Sequence, residues 1–82
     1  MADAPNPSRP TLEQAIGRVL RELRSGKGLK QIDVAVATNF AVTTLRKMEG
    51  GKQSMTIRSL DALAMFYQLP IEEIIIRAKK MR

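Results

Sequence analysis

Cysteine and histidine are both absent from the chain. Without them there are no disulfides, no thiolate nucleophile, none of the common zinc ligand sets and no imidazole to serve as a general base. Nothing in what remains pairs a nucleophile with a base, so an enzyme is the least supported class, and no metal or cofactor is expected. Long apolar runs are missing as well. No stretch approaches the roughly eighteen apolar residues of a membrane span, and the N-terminus lacks the charged-then-apolar layout of a signal peptide. A cytosolic protein is expected. Acidic residues are comparatively few, 8 against 14 Lys and Arg, which leaves a net charge of +6 on 82 residues. So small and so basic a domain attracts polyanions, with nucleic acid first among them.

The length suits one compact helical core and leaves no room for a second domain or a large enclosed substrate cavity. The positive charge is unevenly placed. Arg21, Arg24, Lys27, Lys30, Arg46, Lys47, Lys52 and Arg58 crowd the centre, and Arg77, Lys79, Lys80 and Arg82 close the chain. Residues 1–10, MADAPNPSRP, hold three of the four prolines and no periodic apolar residue, and read as a flexible arm ahead of a domain spanning 11–82. Arg9 could carry that arm to a phosphate or a minor groove, as basic arms of some DNA-binding domains do, although a solvated tail is much the better account of one Arg.

Helical spacing governs the remainder. Thr11 can cap a helix in which Leu12, Ile16, Leu20 and Leu23 recur every three or four positions, to be stopped by Gly26-Lys27-Gly28. A phosphate-cradling glycine loop is not indicated, because the flanking pattern is missing. The stretch Leu29 to Lys52 reads as two short helices joined at Asn39, a residue that tolerates positive φ. Leu29, Val34 and Ala35 face inward on the first, while Lys30, Gln31 and Asp33 stay in water. On the second, Phe40, Leu45 and Met48 form an apolar stripe, leaving Val42, Thr43, Arg46 and Lys47 exposed. Such a face fits a DNA major groove, where Thr and Val suit a thymine methyl and Arg or Lys suits guanine acceptors or phosphates. From these residues alone, a solvated amphipathic helix is as good an account.

Gly50-Gly51 ends this helix, and Lys52 to Met55 form a loop that could touch a DNA backbone. Thr56 then caps a segment whose core face is expected to carry Ile57, Leu60, Leu63, Ala64 and Tyr67. Pro70 suits the start of a last helix, with Glu72 and Glu73 at its positive end and Lys79, Lys80 and Arg82 at the other. Ile71, Ile74, Ile75, Ala78 and Met81 share one face, whereas Ile76 points away. Together with Met65 and Phe66, these exceed what a five-helix monomer should need, and a two-fold dimer is expected to cover Phe66, Ile71, Ile75 and Ile76. Burying one Ile is worth roughly 1.5–3 kcal/mol, enough for a symmetric pair of helices to hold together.

The order of parts, with ELR at 22–24, GLKQ at 28–31, Ala35, MEGGK at 48–52 and SLDALA at 59–64, resembles the Cro and lambda-repressor type of helix-turn-helix regulator over about residues 15 to 76. Over MTIRSLDAL it is also similar to the small controller proteins of restriction-modification systems. The resemblance implies an all-α, five-helix DNA-binding domain. It implies further that Gln31 meets the DNA backbone and that Val42, Thr43 and Lys47 read bases, with Arg46 alongside and Ala41 and Thr44 at the margins. Lys30, Lys52 and Gln53 would position the protein on phosphates. Arg24 and Glu49, at the ends of the first and third helices, would meet as an ion pair. Three positions depart from the family pattern: Ala41 stands where Ser or Thr often caps the third helix, Asn39 where Gly is usual, and Met55 where Pro is common.

The expected function is therefore a sequence-specific transcriptional regulator, most simply a repressor that binds a near-palindromic operator as a homodimer. A second class is a protein-binding module, such as an antitoxin that masks a small protein partner and also binds DNA. Ile32 and Val36, four apart and expected to be exposed, are the residues that favour it.

Overall fold

The computed structural model describes residues 9–82, so the expected arm lies outside the described residues except for Arg9 and Pro10. Among the described residues there are five helices and no strand: α1 (Leu12–Gly26), α2 (Gln31–Thr38), α3 (Val42–Glu49), α4 (Ile57–Phe66) and α5 (Ile71–Lys80).

Two threonines set helix starts. The Thr11 hydroxyl accepts from the Gln14 N–H at 3.1 Å while the Gln14 side chain accepts from the Thr11 N–H at 2.9 Å, a reciprocal cap for α1. Thr56 likewise accepts from the Ser59 N–H and opens α4. Helix α2 begins with half of such a device, the Asp33 carboxylate accepting from the Lys30 N–H at 2.8 Å. Pro70 precedes α5, with Glu72 and Glu73 in the first turn and Arg77, Lys79 and Lys80 in the last, each sign at the end that favours it.

Helix α1 packs against α5 and α3. The two long-separated ends of the domain meet where Arg82 Nε donates to the Pro10 carbonyl at 3.3 Å, so α5 returns to the start of α1. The core is centred on Val19, Leu20, Val34, Leu45, Met48, Leu63 and Ile74, all fully buried. On α1 the apolar stripe is wider than leucine and isoleucine spacing suggests. Ala15 and Val19 are buried, whereas Leu12 and Leu23 at the helix ends are half-buried.

Ile57 departs from expectation. Spacing puts it on the core face of α4, yet it is 79% exposed. It is the first residue of the helix, and helical side chains lean toward the N-terminus, so its side chain projects past the edge of the core that Leu60, Leu63, Ala64 and Tyr67 fill. Beyond Ala64, Met65 is 70% exposed, while Phe66 is half-buried with its ring edge-on to Tyr67 at 5.0 Å. On α5, Ile74 and Ala78 are buried, Ile71, Ile75 and Met81 are half-buried against the core, and Ile76 is 46% exposed.

Candidate nucleic-acid interface

The corner between α2 and α3 is built on Asn39, whose φ of 61° and ψ of 29° place it in the left-handed region. From there the Phe40 N–H reaches back to the Ala35 carbonyl at 3.0 Å, and the Thr38 hydroxyl donates to the Val34 carbonyl at 2.7 Å. These bonds use up carbonyls at the end of α2 and fix the direction in which α3 departs. Ala35, 2% exposed, is small enough to sit where the helices press together.

Helix α3 is anchored by Leu45 near its middle and by Met48 and Glu49 at its end, all three buried. Glu49 is the buried acid of the core edge, its side chain 0% exposed, and it gathers donors from two other helices. Arg24 Nε lies 2.9 Å from Oε2, and Arg24 Nη2 donates to Oε1 at 3.0 Å. The Gln31 amide donates to the same Oε1 at 3.1 Å. Arg24 is itself oriented by donating from Nη1 to the Leu29 carbonyl at 3.0 Å. A buried carboxylate is tolerable only when it is paired and hydrogen-bonded in this way. The hydrogen bond to Glu49 holds the Arg24 guanidinium above its ordinary pKa, outweighing the opposing effect of burial, and the charge on Glu49 adds to it. One side-chain cluster thus joins the end of α1, the start of α2 and the end of α3.

Two glycines allow this arrangement. A Cβ on Gly17 would stand 2.5 Å from the Glu49 carbonyl oxygen and 2.6 Å from that of Met48, so α1 can cross the end of α3 only with a hydrogen at this position. Gly51 takes a φ of 68° and lies against Gln14, whose Cα would be 2.6 Å from an added Cβ. The turn it makes is closed by the Lys52 N–H donating to the Lys47 carbonyl at 3.0 Å. Spacing and motifs do not single out Gly17, although the sequence holds a signal for it. A glycine inside a strong helix costs about 1 kcal/mol relative to Ala and generally has a packing reason.

The outward face of α3 carries Thr43, Arg46 and Lys47, all exposed, with Ala41 exposed just before the helix. Val42, expected beside them, is half-buried and packed against the core, because as the first residue of α3 it lies at the edge of the core rather than on the free side. Thr44 is half-buried. Ala41 offers no side-chain oxygen, and no side chain caps α3. Lys30, Lys52 and Gln53 are exposed. Gln31, expected to stay in water, is half-buried, because its amide is drawn in by Glu49. Among the described residues no cluster of metal-ligating side chains occurs, and no helix is long and apolar enough to cross a membrane.

Two helices fixed at a left-handed corner, the second with a free cationic face, are the geometry of a helix-turn-helix. The helix-turn-helix domain family matches residues 15–74. The chain belongs to the helix-turn-helix family. It is of the Cro and lambda-repressor type, a DNA-binding regulator, and the matched span nearly coincides with the residues 15 to 76 that carry the resemblance. Among curated proteins none matches this helix-turn-helix chain. Solved structures do. The clp gene regulator ClgR from C. glutamicum superposes with a TM-score of 0.85 at 22% identity, over 93% of this chain and 97% of that one. The restriction-modification controller protein C.AhdI from Aeromonas hydrophila gives 0.71 at 26% identity, over 74% and 92%. A point mutant of the controller protein C.Esp1396I gives 0.75 at 23% identity, over 88% and 95%. This helix-turn-helix domain therefore shares its five-helix architecture with proteins whose sequences have diverged widely.

Proposed function

We propose that this protein acts in the cytoplasm as a sequence-specific repressor, binding a near-palindromic operator as a homodimer and blocking polymerase. The observation that carries this reading is the exposed Thr43, Arg46 and Lys47 face on a helix whose far end is locked by Glu49. In that arrangement Thr43 and Lys47 read base edges, with Val42 contributing only the part of its side chain left uncovered and Arg46, Ala41 and Thr44 at the margins. Lys30, Gln31, Lys52 and Gln53 hold backbone phosphates and set the register. In this reading control comes from protein concentration and operator arrangement. A regulator of clp genes and controllers of restriction-modification systems among the structural neighbours are in keeping with such a role.

The dimer is supported by apolar surface that the monomer leaves uncovered. Ile76 is 46% exposed beside half-buried Ile75 and Ile71, and Met65 is 70% exposed beside half-buried Phe66. A two-fold axis through α4 and α5 would set the recognition helices about 34 Å apart, one turn of DNA. Selection of bound sites from random DNA tests the reading, paired with sedimentation of the protein. A palindromic consensus is expected, with a dimer that Ile76→Glu shifts toward monomer while its helical signal is kept. A monomeric parent that binds one half-site as tightly as the full site removes the dimer.

The second reading, a protein-binding module of antitoxin type, is favoured by Ile32 and Val36. They stand four apart on α2 at 50% and 74% exposure. Recovery of a stable small partner from the source cell, with no DNA enrichment in the selection, would decide for it.

A further inference from the structure

Next to the end of α3, the middle of α1 and the residues just before it carry a second basic surface. Arg9, Arg18 and Arg21, with Pro10 and Gln14, line an open cleft of about 440 Å3 bounded on its other side by Glu49 and Gly50. Gly50 is exposed and lies one turn beyond Arg46 and two beyond Thr43, so the cleft begins where the free face of the recognition helix ends.

The charge in this cleft is unbalanced. Its carboxylate, Glu49, is fully buried and already committed to Arg24. Arg18 and Arg21, three apart on one face of α1, are exposed, and neither belongs to an ion pair among the described residues. Cations do favour a helix C-terminus, but the last turn of α3 already holds Arg46 and Lys47. Three further guanidiniums around one opening exceed that need. A planar guanidinium with several donors is suited to phosphate oxygens, and three facing one cleft suit a ligand carrying closely spaced negative charges.

We infer that Arg9, Arg18 and Arg21 form a phosphate clamp that grips the DNA backbone alongside the groove entered by α3. The inference rests on the DNA-binding reading above and adds to it a binding surface on α1. Because phosphates carry no base identity, the clamp adds affinity and fixes register without choosing sequence. It also couples the segment before α1 to the recognition helix, since Arg9 and Gly50 face the same opening.

The test is the salt dependence of binding, measured with the selected operator duplex and with a random-sequence duplex. Every B-DNA phosphate that the protein ceases to neutralise lowers the slope of log K against log salt by about 0.9, so Arg18→Gln with Arg21→Gln should lower it by about 1.8. Affinity should fall by the same factor on both duplexes. Two comparisons guard the result. Arg18→Lys with Arg21→Lys keeps the charges and should keep the parent slope. Arg77→Gln with Lys80→Gln removes equal charge from α5, outside the cleft, and should leave the slope unchanged. If the parent binds DNA and the α1 glutamine pair keeps its slope, or if the α5 pair lowers it equally, the clamp is refuted while the DNA-binding reading stands. A lysine pair whose slope falls as far as that of the glutamine pair also counts against it. A parent that binds neither duplex removes both.

Discussion

The two ends of α3 are held in opposite ways. At its C-terminal end Met48 and Glu49 are buried, α1 crosses in direct contact at Gly17, and Arg24 and Gln31 converge on one carboxylate. At its N-terminal end no side chain caps the helix, Ala41 and Thr43 are exposed and Val42 is only half covered. Recognition helices present base-reading residues from their N-terminal part. The N-terminal end is thus left open, and its direction is set by packing and charge at the opposite end, two turns away. On the proposed function, stability and specificity would be carried by different residues of the same short helix.

The largest effect should come from breaking the charged end. Arg24→Met strands Glu49 without a countercharge at a position with no side-chain exposure, and should cost about 3–5 kcal/mol. Glu49→Met strands a partly exposed Arg24 and the Gln31 amide and should also destabilise. The double substitution should be milder than either single one, since two well-packed apolar side chains leave no uncompensated charge. Urea unfolding of the three variants measures this, and three curves that overlay the parent would show that the pair is not structural.

Tyr67 sharpens the contrast from beside the same cluster. It is 4% exposed, and its hydroxyl has no hydrogen-bond partner among the described residues. Burial first, and then the charge on Glu49, push its pKa up from 10.0 to about 12. The folded state therefore keeps its proton where the unfolded chain has lost it. The resulting stability is fully present below pH 10 and is lost as pH rises toward 12, roughly 2–3 kcal/mol in all. In Tyr67→Phe that loss should be missing, and the neutral-pH stability should be equal or higher because an unpaired buried hydroxyl is removed. Parallel pH profiles for parent and variant would contradict the assignment.

Gly17→Ala tests the backbone approach at the same end. Forcing a methyl against two carbonyl oxygens that cannot swing aside costs about 3 kcal/mol, the upper end of overpacking, and the gain in helix propensity returns about 1. A net loss of about 2 kcal/mol is expected in denaturant unfolding. A variant as stable as the parent would mean that α1 does not approach α3 so closely.

The five helices are legible in the sequence because local signals agree: Thr11 and Thr56 as caps, Gly26 to Gly28 and Gly50-Gly51 as stops, Asn39 at the corner, and apolar spacing near 3.6 between them. The exposed cations of α3 are legible for the same reason. Periodicity fails at helix ends and across helices. Ile57 satisfies the spacing but lies outside the neighbours' reach, Val42 is half covered by a core that spacing within α3 cannot see, and Gln31 is drawn inward by an acid 18 residues away. Gly17 needs knowledge of which helix crosses it. Local rules describe each helix alone, whereas the site is made where helices meet.

The smallest effect belongs to the open end of α3 and bears most directly on the division of labour. Ala41 has extended backbone angles, φ −66° and ψ 141°, the conformation from which a Ser hydroxyl accepts from an N–H in the first turn. Ala41→Ser should therefore stabilise the protein by about 1 kcal/mol, with no other rearrangement required. If the N-terminal end is a reading surface rather than a structural one, DNA affinity should not rise in step with stability. It should stay level or fall slightly, because the new hydroxyl occupies an N–H that faces the ligand. Thermal melts beside binding curves on the selected operator measure both quantities. A stability gain matched by a tenfold gain in affinity would mean that fraying of this end limits binding. Loss of stability would mean that the backbone at Ala41 is not poised to be capped, and that the two ends of the helix differ less than their surroundings suggest.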